Sequence, residues 1–102
     1  MKTLAQIRSQ LLAREFNLSQ HASMRALERG ISNIEIREAG ANASVVEEYP
    51  DDKYGPTWLL LGFTSAGRPL HMQVSIVDDP LVKLVTIYEP DPDRWWGHTD
   101  RR

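Results

Sequence analysis

The chain has no cysteine among its 102 residues. That excludes disulfides, thiol catalysis and thiolate metal sites, and it fits a reducing cytoplasm. Histidine is scarce as well, with three residues: His21, His71 and His98. None forms an H-x-x-x-H or H-E-x-x-H pair, so no metal and no cofactor is expected. No G-x-S-x-G elbow, dinucleotide fingerprint or phosphate loop occurs, and "GFTSAG" reads as a hairpin. No apolar run approaches the roughly 18 residues of a membrane span. Polar residues Gln6, Arg8, Ser9 and Gln10 interrupt any signal-peptide core at the N-terminus. These absences point to a soluble cytoplasmic protein with no membrane partner.

What is present suits one domain over residues 1–102. Apolar residues make up 41% and charged residues 25%, an ordinary globular balance. The net charge of −2 is unevenly spread. Residues 1–40 hold six basic and four acidic groups, and residues 41–102 hold six basic and ten acidic. A broad nucleic-acid surface is therefore not expected. A small basic site on the first half is compatible with the count.

Leu4, Ile7, Leu11 and Leu12 have helical spacing over residues 3–14. "FNLS" breaks that helix. Ser19 is a suitable N-cap for a second helix over residues 20–29, with Gly30 as terminator. Ser32-Asn33-Ile34-Glu35 is a capping box opening a third helix that ends near Gly40. The period then drops to two. "SVVEEY", "TWLLLGFT", "PLHMQVSIV" and "LVKLVTIYE" read as four strands separated by turn residues. Helices followed by a strand meander predict an α+β fold, with the N-terminal helices packed on one face of a twisted antiparallel four-stranded sheet. Of Trp95 and Trp96, one is expected to lock the chain end onto the sheet and the other to stay open to a partner or a stacked base. "GHTDRR", residues 97–102, has no apolar residue and is expected to be a flexible tail.

The second helix carries the main chemical signal. At about 100° per residue, Arg25 and Arg29 fall within about 80° of His21. Ala22, Met24, Ala26 and Leu27 take the opposite side and are expected to be buried. The polar line is either a solvated face, with Glu28 supplying an ion pair, or a phosphate-handling surface. In the third strand His71, Gln73 and Ser75 share the polar face. Thr86 and Tyr88 of the fourth can join them. Two imidazoles, a phenol and two arginines suit metal-independent RNA cleavage. His71 would be base and His21 acid, or the reverse. Arg25 and Arg29 would hold the phosphate, and Tyr88 would orient the ribose. Arg68 and Lys53 read as surface charges of a hairpin and a loop.

Four segments carry a family resemblance: "S-x-H-A-x-x-R-x-x-x-R-G-I-S" at Ser19–Ser32, "EEYPDDKYGP" at Glu47–Pro56, "LLGFTSAGRPLHMQV" at Leu60–Val74 and "TIYEPDPDRW" at Thr86–Trp95. Together they resemble the bacterial family called domain of unknown function 4258, over residues 17–96, with residues 1–16 forming a helix outside the match. That family in turn is similar to the RelE/ParE/BrnT-type toxin superfamily. The resemblance implies a RelE-like fold. It implies the toxin half of a type II toxin–antitoxin pair, an endoribonuclease that cleaves mRNA by 2′-OH attack, on or off the ribosome. The implied partner is a zinc-binding antitoxin of the MqsA/YgiT type. The alternative is a non-catalytic protein-binding module of the same fold. The resemblance puts weight on His21, Arg25, Arg29 and His71, and less on Tyr88 and Glu89.

Overall fold

Capping chemistry sets the three helices. In the computed structural model, which describes all 102 residues, α1 spans Leu4–Leu12, α2 Gln20–Arg29 and α3 Asn33–Ala41. Thr3 and Gln6 form a capping box at α1, and Ser32 and Glu35 form another at α3. The Ser19 hydroxyl accepts from Ala22 N at the start of α2. Gly30 ends α2 with φ +63°, a backbone state that glycine adopts without steric cost. Ile31 and Ile36 flank the α3 cap and are both buried.

Strands β2 (Ser44–Tyr49), β3 (Thr57–Phe63), β4 (Pro69–Ser75) and β5 (Val82–Tyr88) form an antiparallel meander. The four-stranded, wholly antiparallel sheet expected from sequence is corrected by a fifth strand. Phe16–Leu18, read as a helix break, is β1, and it pairs in parallel with Val82–Leu84 of β5. The sheet is therefore mixed and five-stranded, in the order β1-β5-β4-β3-β2. Three residues are too few to display a period of two. Their hydrogen-bond partners also lie more than sixty residues away, so local pattern carries no trace of this strand. Backbone bonds from Val82 N to Glu15 O and from Ser19 N to Leu84 O extend the pairing at both ends.

All three helices cover one face of the sheet. Ile7, Leu11 and Ile36 meet Leu60, Met72, Val74, Leu84 and Ile87 in the core. Each such side chain contributes about 1.5–3 kcal/mol through burial. The helix layer lies close: a Cβ on Gly62 of β3 would sit 1.9 Å from the carbonyl oxygen of Ala39. The buried residues of α2 are its small ones, Ala22 and Ala26. Met24 and Leu27, expected on the buried side, are 55% and 85% exposed. An alanine stripe is too narrow to draw its larger neighbours into contact.

The opposite face carries Leu59, Leu61, His71, Gln73 and Tyr88 in register across β3, β4 and β5. A small C-terminal hairpin lies over part of it, made of β6 (Trp95–Trp96) and β7 (Asp100–Arg101). Trp95 is buried and Trp96 exposed, the division expected of the pair. The terminal residues, read as a fraying tail, are paired and pinned here. Arg101 makes two bonds to the Glu47 carboxylate, at 2.8 and 2.9 Å.

Candidate functional site

The C-terminal hairpin decides what the sheet's polar face can do. His71 sits at mid-sheet with 0% exposure. Its Nε2 lies 2.7 Å from the His98 carbonyl oxygen and its Nδ1 3.1 Å from the Tyr88 hydroxyl. A carbonyl only accepts, so Nε2 carries the hydrogen, and Nδ1 of the neutral ring accepts from Tyr88. Trp95 stands edge-on to the imidazole, with ring centroids 4.5 Å apart. The Arg101 guanidinium lies 4.6 Å from the Trp95 ring centre. Burial pushes the His71 pKa down, against the opposing pull of the His98 carbonyl. Burial also pushes the Tyr88 phenol up. Both rings are therefore neutral near pH 7.

Tyr88 links this closed cluster to an open cleft of about 480 Å³. Arg29 at the end of α2 lines it, with Tyr88 and Glu89 of β5 and its exit, and Asp91, Arg94, Trp95 and Arg101. Arg101 is committed to Glu47, and that bond holds the Glu47 carboxyl below its usual range. Arg29 and Arg94 have no carboxylate within ion-pair distance. Two unneutralised guanidiniums beside a phenol suit an oxyanion with two non-bridging oxygens, such as a phosphodiester.

Arg68 bonds to two residues of the cleft lining, Arg29 and Glu89. Its Nη2 donates to the Arg29 carbonyl at 2.8 Å and its Nη1 to the Gly30 carbonyl at 3.1 Å. It also pairs with Glu35 of α3 and with Glu89. The Ser32 backbone N–H lowers the Glu35 carboxyl pKa most, and Arg68 adds to that effect. The surface charge expected at Arg68 is thus a clamp on the C-terminal end of α2.

The expected site is only partly assembled. Arg29 meets Tyr88 in the cleft, and Tyr88 meets His71 beneath it. Arg25 turns to Glu28, 3.3 Å away, and lines no cavity. His21 opens on a separate cavity with Gln73 and Thr86. Sequence reasoning missed Arg94 and Arg101. They lie after a Pro-Asp-Pro turn with no regular period, and only the adjacent Trp95 hinted that this stretch returns to the sheet. No group of three or more His, Asp or Glu side chains is arranged to hold a metal ion. The largest cavity, about 560 Å³ between α1 and Asp78–Asp79, has Lys2 as its one cation. The Lys2 ammonium is already bonded to Gln10 and to the Asp79 carbonyl.

No helix is long and apolar enough to cross a membrane. No curated protein matches the chain, and neither does any solved structure. The model of a family described as a domain of unknown function, DUF4258, matches residues 18–89. The match runs from the last residue of β1 to the residue after β5. It takes in Arg29, Arg68, His71 and Tyr88, and leaves out α1 and the C-terminal hairpin. On that match the chain belongs to the DUF4258 family.

Proposed function

We propose that the chain is the toxin half of a type II toxin–antitoxin pair with a RelE-like fold, and that it cleaves mRNA in the cytoplasm without a metal. The observation that carries this reading is that Arg29 and Arg94, neither in an ion pair, line one cleft with Tyr88. Arg29 and Arg94 bind the scissile phosphate and offset the charge that gathers on the phosphorane. The ribose 2′-oxygen attacks phosphorus, and the bond from phosphorus to the 5′-oxygen breaks. The 2′-OH proton passes to the Tyr88 oxygen as the Tyr88 proton moves to His71 Nδ1. The same pair then returns a proton to the leaving 5′-oxygen. The products are a 2′,3′-cyclic phosphate and a 5′-hydroxyl. A lowered pKa suits His71 to this role, because it keeps the ring unprotonated and ready to accept. The imidazole thus acts through Tyr88, and the acid role expected of His21 falls to the same relay.

The expected partner is a zinc-binding antitoxin of the MqsA/YgiT type. A second reading, a non-catalytic protein-binding module of the same fold, is favoured by the exposed Met24 and Leu27 on α2. Incubation of a defined mRNA with the purified protein in EDTA, with and without ribosomes, separates the two. Wild type is expected to cleave, and Tyr88→Phe to be slower by about 10²–10⁴-fold with an unchanged circular dichroism spectrum. No cleavage by wild type, or full activity in Tyr88→Phe, sinks the ribonuclease reading.

A further inference from the structure

Two residues before Tyr88, on the same face of β5, Thr86 lines a second cavity of about 320 Å³. His21 of α2, Tyr54 of the β2–β3 loop and Gln73 of β4 help to enclose it. Its volume is at the lower end of the range for small-molecule sites, roughly 300–1,000 Å³. Tyr54 is 44% exposed. The ammonium groups of Lys53 and Lys83 lie 5.1 and 5.8 Å from the centre of its ring. Gln73 donates its Nε2 to Thr57 Oγ1 at 3.0 Å. Its amide oxygen has no donor from the protein, and no unpartnered side-chain oxygen is buried, so that oxygen opens to solvent.

We propose that this cup is a base subsite. It takes the nucleobase next to the phosphate held by Arg29 and Arg94, and it selects a base with an amino group, adenine or cytosine. The inference rests on the RNA reading of the cleft and adds a sequence preference to it. The spacing fits. Two residues along a strand cover about 7 Å, comparable with one nucleotide step of an extended single strand. An exposed tyrosine flanked by two lysines offers a stacking platform with cations for the adjoining backbone. The free oxygen of Gln73 accepts from the amino group of adenine or cytosine. Uracil and guanine carry a carbonyl at that position, which sets lone pair against lone pair.

The test is anisotropy titration of the full chain with fluorescein-labelled hexanucleotides A6, C6 and U6, 2′-O-methylated to block cleavage. A6 and C6 are expected to bind about tenfold tighter than U6, the discrimination of one base hydrogen bond. Tyr54→Ala should weaken all three by about tenfold, and Tyr54→Phe should restore binding. Gln73→Leu should erase the preference for A6 and C6 while U6 affinity holds. If Gln73→Leu fails to fold, the exposed Tyr54 pair decides. Binding that needs Arg94, shows no base preference and ignores Tyr54→Ala overturns the subsite and leaves the RNA reading standing. No binding of any hexanucleotide overturns both.

Discussion

The Nε2 atom of His71 donates to the backbone carbonyl of His98, 2.7 Å away and 27 residues later in the chain. This one bond ties the C-terminal hairpin to the centre of the sheet, and it exists only while Nε2 carries its hydrogen and Nδ1 faces Tyr88.

That relationship gives stability a pH dependence. An unfolded histidine takes up a proton near pH 6.5, whereas burial delays this in the native protein. Below pH 6.5 the unfolded chain therefore binds more protons, and stability falls as pH falls, until the native ring also titrates. A second loss belongs below about pH 4.5, where unfolded carboxyls protonate before the depressed Glu35 and Glu47. Urea unfolding between pH 7.5 and 5 should show the first decline, and His71→Gln should flatten it. An NMR titration that protonates the His71 ring above pH 6.5 would refute the assignment.

The tandem tryptophans should separate sharply. Trp95 packs against His71 and lies under Arg101, while Trp96 is exposed, with Arg102 above its ring. Trp95→Ala is expected to cost about 3–5 kcal/mol of unfolding free energy. Trp96→Ala should cost about 1 kcal/mol or less. Chemical denaturation followed by circular dichroism measures both. Equal losses would mean that the hairpin does not seat on the sheet as described.

Arg68 should matter to both fold and cleft. Arg68→Ala removes the donors to the Arg29 and Gly30 carbonyls and leaves Glu35 without its cation. A loss of about 2 kcal/mol is expected, because several bonds to a charged group go at once. Affinity of the Arg29 cleft for a short RNA should also fall, since the end of α2 loses its anchor. An Arg68→Ala protein as stable as wild type would show that the clamp is idle.

How much of this was legible in the sequence depended on the reach of each signal. Ser19, Gly30, Ser32 and Glu35 fixed α2 and α3, because caps act within one helical turn. Strand β4 showed through its alternation, and β2, β3 and β5 as short runs rich in β-branched or apolar residues between turn residues. The side of α2 occupied by Leu27 was misjudged: composition says what prefers burial, and only the partner surface says what is covered. His71 was correctly placed on the polar face of β4. Its burial depends on a hairpin that begins 24 residues later, a contact that no local pattern encodes. Arg29, singled out by its helical spacing from His21 and Arg25, lines the Tyr88 cleft. Arg94 and Arg101 escaped because the turns that bring them back have no period.

The parallel pairing of β1 with β5 carries a kinetic consequence. Residues 16–18 leave the ribosome long before residues 82–84 are made. During that interval α1 and α2 are present without the strand that both pack against, and β1 has no hydrogen-bonding partner. Sheet closure must join residues 16–18 to residues 82–84 around everything between them. Such a non-local pairing places folding toward the slower range of small domains, on the order of milliseconds to seconds. Residues 82–84 must be made before the helical half of the cleft can acquire its fixed position opposite Tyr88.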